Sequence, residues 1–178
     1  AIEKIIGRLK QICGIEQIDM DAESLFEIAQ MADGGMRDAL TLLDQVISFC
    51  GNEVRIHRVR EALGLIETGL YFELMAIMQS KSVSDGFKFA ARVLDAGLDV
   101  TEFLHGLMAH IRNVLLAKAC GASALTTVYE SYHEKFTQVA QQFSETDLIR
   151  MMNLVSETIQ RVKWSLKQRF VFELMLMK

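Results

Sequence analysis

Apolar residues recur along this chain every three or four positions, and no alternating run of β-branched residues persists anywhere. That period belongs to amphipathic helices, so the pattern predicts an all-α protein without a sheet. Ile2, Ile5, Ile6, Leu9 and Ile12 mark a first helix to about Cys13, with Gly14 as its C-terminal cap. Asp21 is the expected N-cap of a second helix, which carries Leu25, Ile28, Ala29 and Ala32 and stops at Gly34. A third helix runs from about Gly35 to Phe49 with Met36, Ala39, Leu40, Leu43 and Val46 on its buried face. Gly51-Asn52 turns the chain into a short helix from about His57 to Leu63.

Beyond Gly64 the predicted helices lengthen. Thr68 stands ahead of Leu70, Leu74 and Ile77 as a capping residue. Ser82 with Asp85, Asp99 with Glu102, and Ser144 with Asp147 have the spacing of capping boxes, in which the first side chain accepts from a free N–H. The helices they open are expected to bury Val83, Phe87, Ala90, Ala91 and Leu94; then Phe103, Leu104, Leu107, Met108, Ile111, Val114 and Leu115; then Leu148, Met151, Met152, Val155, Ile159 and Val162. Gly97 ends the first of these helices, and Gly121 the second. Between Ala122 and Phe143, Tyr129, Tyr132, His133 and Phe136 point to a weaker helix with a break near Thr137. Ser165 and Gln168 open a last helix with Leu166, Phe170, Leu174 and Met177 as its face.

Composition narrows the function classes. The chain of 178 residues is 51% hydrophobic, contains 24% charged residues and no proline, and so can fill a core. No apolar run reaches the ~20 residues that span a bilayer. The start, Ala-Ile-Glu-Lys-Ile-Ile-Gly-Arg, is amphipathic rather than a signal peptide and reads as a cut inside a larger protein. Net charge is −4, with no basic stripe of the kind that grips DNA. Cys13, Cys50 and Cys120 lie far apart and form neither a zinc motif nor a disulfide framework. His57, His105, His110 and His133 lack ligand spacing, and no nucleophile elbow or phosphate loop occurs. The ten methionines suit core positions or adaptable helix contacts. Arg161, Lys163, Lys167 and Arg169 form a cluster that is either a solvated face or a contact for a partner or DNA.

One residue resists a purely structural account. Arg37 sits in the first turn of its helix, where unpaired N–H groups and the helix dipole favour anions. Either it swings to solvent or pairs with Asp38 or Thr41, or an external anion such as a phosphate docks beside it. The surrounding run, Gly34-Gly35-Met36-Arg37-Asp38-Ala39-Leu40-Thr41-Leu42-Leu43-Asp44-Gln45, resembles the sensor-2 segment of the gamma/tau subunits of bacterial DNA polymerase III, the motor subunits of the sliding-clamp loader. Glu61-Ala62-Leu63-Gly64 and Lys167 to Leu174 resemble the ends of that family's lid and collar domains.

The resemblance implies an AAA+ lid over residues 1–64 and a larger helical collar over residues 65–178. It implies that Arg37 reaches the γ-phosphate of ATP held by an upstream ATPase domain, with Met36 on the adenine side. ATP and magnesium are then expected in the intact protein and none bound to this stretch alone, which lacks the phosphate loop and would be no enzyme by itself. Expected partners are other clamp-loader subunits through the collar, with the sliding clamp and primed DNA in the full complex, in the cytoplasm and away from membranes. Two other readings stay open: the lid and tail of another clamp-loader-like AAA+ protein, and a helical interaction scaffold with no nucleotide role.

Overall fold

A computed structural model describes residues 2–177 and divides between Glu67 and Thr68 into two compact units. The first unit contains α1 (Ile2–Ile15), α2 (Ala22–Met31), α3 (Met36–Cys50) and α4 (Ile56–Leu63), with the two-residue strands β1 (Asp19–Met20) and β2 (Glu53–Val54). Its core is Ile5, Leu9 and Cys13 from α1, Leu25, Ile28 and Ala29 from α2, and Ala39, Leu43 and Val46 from α3. These lie on the faces that the helical periodicity predicts.

The all-α class holds, with one addition. β1 and β2 pair in parallel, Asp19 opposite Glu53 and Met20 opposite Val54. Two residues cannot show an alternating pattern, which is why the sequence predicts no strand here. Side chains fasten the pair: Arg55 Nη2 donates to Asp19 Oδ2 at 2.6 Å and to Glu53 Oε1 at 3.1 Å. Asp21 does two jobs, one oxygen capping α2 by accepting from Ser24 N at 2.7 Å and the other accepting from Ile56 N at 3.0 Å where α4 begins. Gly14 lies inside α1 rather than capping it, and the chain turns at Gln17, whose φ is +56°. Gly64, left-handed at φ +65°, closes α4, and Leu65 N donates back to Arg60 O at 2.8 Å.

The second unit contains α5 (Thr68–Ser80), α6 (Val83–Asp95), α7 (Val100–Cys120), α8 (His133–Ala140), α9 (Glu145–Trp164) and α10 (Gln168–Leu176). α7 is its axis, packed by α5, α8 and α9, while α10 lies against α6 and α9. The three capping boxes form: Ser82, Asp99 and Ser144 each accept from the N–H three residues on. The segment before α9 is two short 3₁₀ turns followed by α8, which continues through Thr137, whose hydroxyl donates to His133 O at 2.9 Å. Thr68 is the first residue of α5 rather than a residue outside it.

Two helices face inward differently from the prediction. α6 buries Gly86, Phe89, Ala90 and Val93 and leaves Val83 and Phe87 exposed. The helix carries two apolar stripes, and the one holding Phe89, whose ring lies 5.9 Å from that of Phe103, is the one covered. α10 starts at Gln168, so Leu166 lies in the extended link before it, and the helix buries Phe172 and Met175 instead. Phe172 meets Phe103 edge-on at 5.5 Å.

Gly106 on α7 lies beneath Tyr71 of α5, and a Cβ there would overlap the tyrosine hydroxyl and ring. Gly106→Ala is therefore expected to destabilise the second unit by about 1–3 kcal/mol in denaturant unfolding. Gly7→Ala is the matched control. A Cβ at Gly7 in α1 meets nothing within 4 Å, so that change should be neutral or stabilising by about 0.5–1 kcal/mol.

Candidate functional site

The turn between α2 and α3 sets where Arg37 stands. Asp33 and Gly34 take left-handed backbone, φ +43° and +85°, and Gly35 N donates to Ala32 O at 2.7 Å. Each glycine of the pair has its own reason. Gly34 supplies the positive φ that side chains resist. Gly35 supplies space, because a Cβ there would stand 2.5 Å from Asp38 Oδ2. The Asp38 carboxylate thus folds back over the start of α3, whose N-cap residue offers no side-chain acceptor of its own. An acid already answers the positive end of this helix.

Arg37 follows in the first turn of α3. It is exposed, and among the described residues its guanidinium has no hydrogen-bond or ion-pair partner, so the possible pairings with Asp38 and Thr41 do not form. Thr41 instead donates to the Arg37 carbonyl at 3.0 Å, and Ser48 to Asp44 O at 2.7 Å. Both hydroxyls of the polar stripe are spent within α3. Met36 beside it is half-buried against the unit's core. Further along, Gln45 Nε2 donates to Ala62 O at 3.0 Å and ties α3 to the last turn of α4.

The strongest electrostatic feature of this unit was not legible in the sequence. Arg60 on α4 is 5% exposed, with Nη2 at 3.2 Å from both Glu23 and Glu27 of α2, and Nη1 at 3.2 Å from Glu67. Glu23 and Glu27 come from a distant part of the chain, and no local spacing announces them.

Other chemistries find no support in the described residues. No group of three or more His, Cys, Asp or Glu side chains is placed to hold a metal ion. The three cysteines are free, and burial pushes the Cys13 thiol up. No helix is long and apolar enough to cross a membrane. His105 is exposed, whereas His110 is buried against Phe72, Phe136 and Tyr71 at ring distances of 4.5, 4.7 and 5.6 Å. The four residues of the basic cluster, Arg161, Lys163, Lys167 and Arg169, are all exposed.

A helical unit presenting a free arginine at a glycine turn, followed by a larger helical unit, has the fold of clamp-loader subunits. The structure matches that of a DNA clamp loader delta protein of Bacillus subtilis with a TM-score of 0.55 and 14% identity, covering 98% of this chain and 55% of that one. Residues 54–178 match the family of DNA polymerase III subunits gamma and tau, domain III, and residues 4–52 match the ATPase lid domain of the DNA polymerase III clamp loader subunit. The chain belongs to the DNA polymerase III gamma and tau family. It is 32% identical to DNA polymerase III subunit tau of Bacillus subtilis over 99% of its own length and 31% of that protein's. It is also 29% identical to Protein STICHEL-like 1 of Arabidopsis thaliana, over 90% of this chain and 14% of that protein. The chain therefore spans under a third of these relatives.

Proposed function

We propose that residues 1–64 act as the lid and residues 65–178 as the collar of a clamp-loader motor subunit, and that Arg37 senses the γ-phosphate of ATP. The observation that carries this reading is the unpartnered guanidinium at a built turn, Gly34 and Gly35 holding the chain while Asp38 answers the helix end. The residues fit one side of a nucleotide site only. They offer a cation for a phosphate and, in half-buried Met36, an apolar edge for an adenine, but no phosphate loop and no magnesium ligands. In the intact protein an upstream ATPase domain would hold ATP and magnesium.

Arg37 would then bond the nucleotide only when the γ-phosphate is present, a charge-assisted bond across two domains. Its formation would draw the lid, and the collar with it, toward the ATPase domain, assembling the subunits in the state that opens the clamp and grips primed DNA. Hydrolysis would release that state. The collar would hold the subunits together, and the complex would work in the cytoplasm.

The test is clamp- and DNA-stimulated ATP hydrolysis by the complete subunit in its assembled complex, with Arg37→Ala against the parent. A hydrogen bond to a charged group is worth about 1.5–3 kcal/mol, so hydrolysis should fall by about tenfold or more. The melting temperature should not change, because Arg37 touches nothing that the fold needs. Undiminished hydrolysis would leave Arg37 a surface residue and favour a helical scaffold without a nucleotide role.

A further inference from the structure

α4 has only eight residues, and so short a helix frays at its end unless something outside it holds the last turn. Here contacts hold that turn and reach beyond it. Gln45 Nε2 of α3 donates at 3.0 Å to Ala62 O, one of the last-turn carbonyls that a helix leaves without a partner of its own. Past the left-handed Gly64, Leu65 N donates back to Arg60 O at 2.8 Å. Glu67, the last residue of the first unit, accepts from Arg60 Nη1 at 3.2 Å.

An exposed ion pair is ordinarily worth little, because two long side chains must be ordered to make it. The pair of Arg60 with Glu67 differs at one end. The Arg60 side chain is 6% exposed and already held by Glu23 and Glu27 of α2, so only Glu67 has to be ordered. Leu65 and Ile66 before it are half-buried as well. Residues 62–67 are therefore fastened to the helices of the first unit.

The same fastening reaches the helix of Arg37. Arg37, Thr41 and Gln45 follow one another at intervals of four, so a single row of α3 runs from the guanidinium to the Ala62 carbonyl. A slack link after Gly64 would absorb any movement of α3. A fastened one passes the movement to Thr68, where α5 begins.

We infer that Gln45 and Glu67 are positioning residues of the ATP response, which fasten the chain leaving the first unit to the helix that carries Arg37. This rests on reading Arg37 as the γ-phosphate sensor. Neither residue contacts nucleotide in that reading; both act through the backbone that they hold.

The variant to make is Gln45→Met with Glu67→Gln, which keeps both side-chain lengths while removing the donor and the charge. Amide exchange in this chain tests the fastening itself. The Leu65 amide should exchange at least about fivefold faster in the variant, the scale of one lost hydrogen bond, with α2 and α3 protected as in the parent. The consequence is tested in the complete subunit in its assembled complex, beside Arg37→Ala. ATP binding by the Gln45 and Glu67 variant should stay within about twofold of the parent, while clamp- and DNA-stimulated hydrolysis falls at least about fivefold.

Unchanged exchange at Leu65 overturns the inference. So does parental hydrolysis in the variant when Arg37→Ala is impaired, and that result leaves the Arg37 reading standing. Loss of ATP binding together with hydrolysis means general damage to the unit and also overturns it. Undiminished hydrolysis in Arg37→Ala overturns the sensor reading, and this inference with it.

Discussion

Replacing Arg60 by Met should lower the stability of the first unit by about 3–5 kcal/mol, the usual scale for removing one partner of a buried ion group. The guanidinium, 5% exposed, lies at 3.2 Å from carboxylates of Glu23, Glu27 and Glu67. Without it, Glu23 and Glu27 remain side by side on α2, half-buried and with this cation gone. The methyl-tipped side chain would fill the volume but could not offset that repulsion. Lys would not substitute well either, since one ammonium cannot match the fork that serves carboxylates on two sides.

Denaturant unfolding by circular dichroism, with amide hydrogen exchange to separate the two units, measures the effect. Exchange protection should fall in α2 and α4 and hold in α7. Glu67→Gln supplies the contrast. That carboxylate is 52% exposed and Arg60 keeps both other acids, so the change should cost under ~1 kcal/mol. Equal losses from the two variants would mean that Arg60 acts through Glu67 alone.

Acid should weaken the second unit through His110. Burial, and secondarily the charge of Lys135, holds its imidazole down at about 3, from an ordinary value of 6.5. The ring is enclosed by Phe72, Phe136 and Tyr71, and among the described residues its Nε2 has no hydrogen-bond partner. Lys135 lies over the face of Phe72 at 4.4 Å, so a second positive charge at His110 would meet it nearby. The folded state therefore keeps His110 neutral at pH values where the unfolded chain protonates it. Its contribution is complete above pH 6.5 and is lost as pH falls toward 3, at up to ~1.4 kcal/mol per pH unit. His110→Leu should flatten this part of the stability curve, and the difference between parent and variant removes the carboxylate background. Parallel curves for the two proteins across that window would show that His110 titrates normally in the fold.

The local devices of this chain could be read directly from its residues. Asp21, Ser82, Asp99 and Ser144 cap the helices that their spacing predicts, because a cap needs only a side-chain oxygen and an N–H three residues on. Gly34, Gly51, Gly64, Gly97 and Gly121 all take positive φ where the chain leaves a helix, a property of the glycine itself. The run from Gly34 to Gln45, whose residues resemble the DNA polymerase III gamma and tau family, is also local, a contiguous stretch on one turn and one helix. The faces of α1, α2 and α3 follow their period because each helix has a single apolar stripe.

Where α6 and α10 offered more apolar surface than one face holds, periodicity had no means of choosing. The choice fell to Phe103 on α7, which meets Phe89 on one side and Phe172 on the other. The stripes not chosen, Val83 with Phe87 and Phe170 with Leu174, were left in water. The strand pair, the approach of Glu23 and Glu27 to Arg60 and the enclosure of His110 likewise required segments far apart in the chain to meet. In sequence these residues look like any others of their kind. Residue spacing determined where helices start and stop; the packing of distant segments alone decided that Arg60 was buried among acids, that His110 resists protonation and which apolar stripes were left exposed.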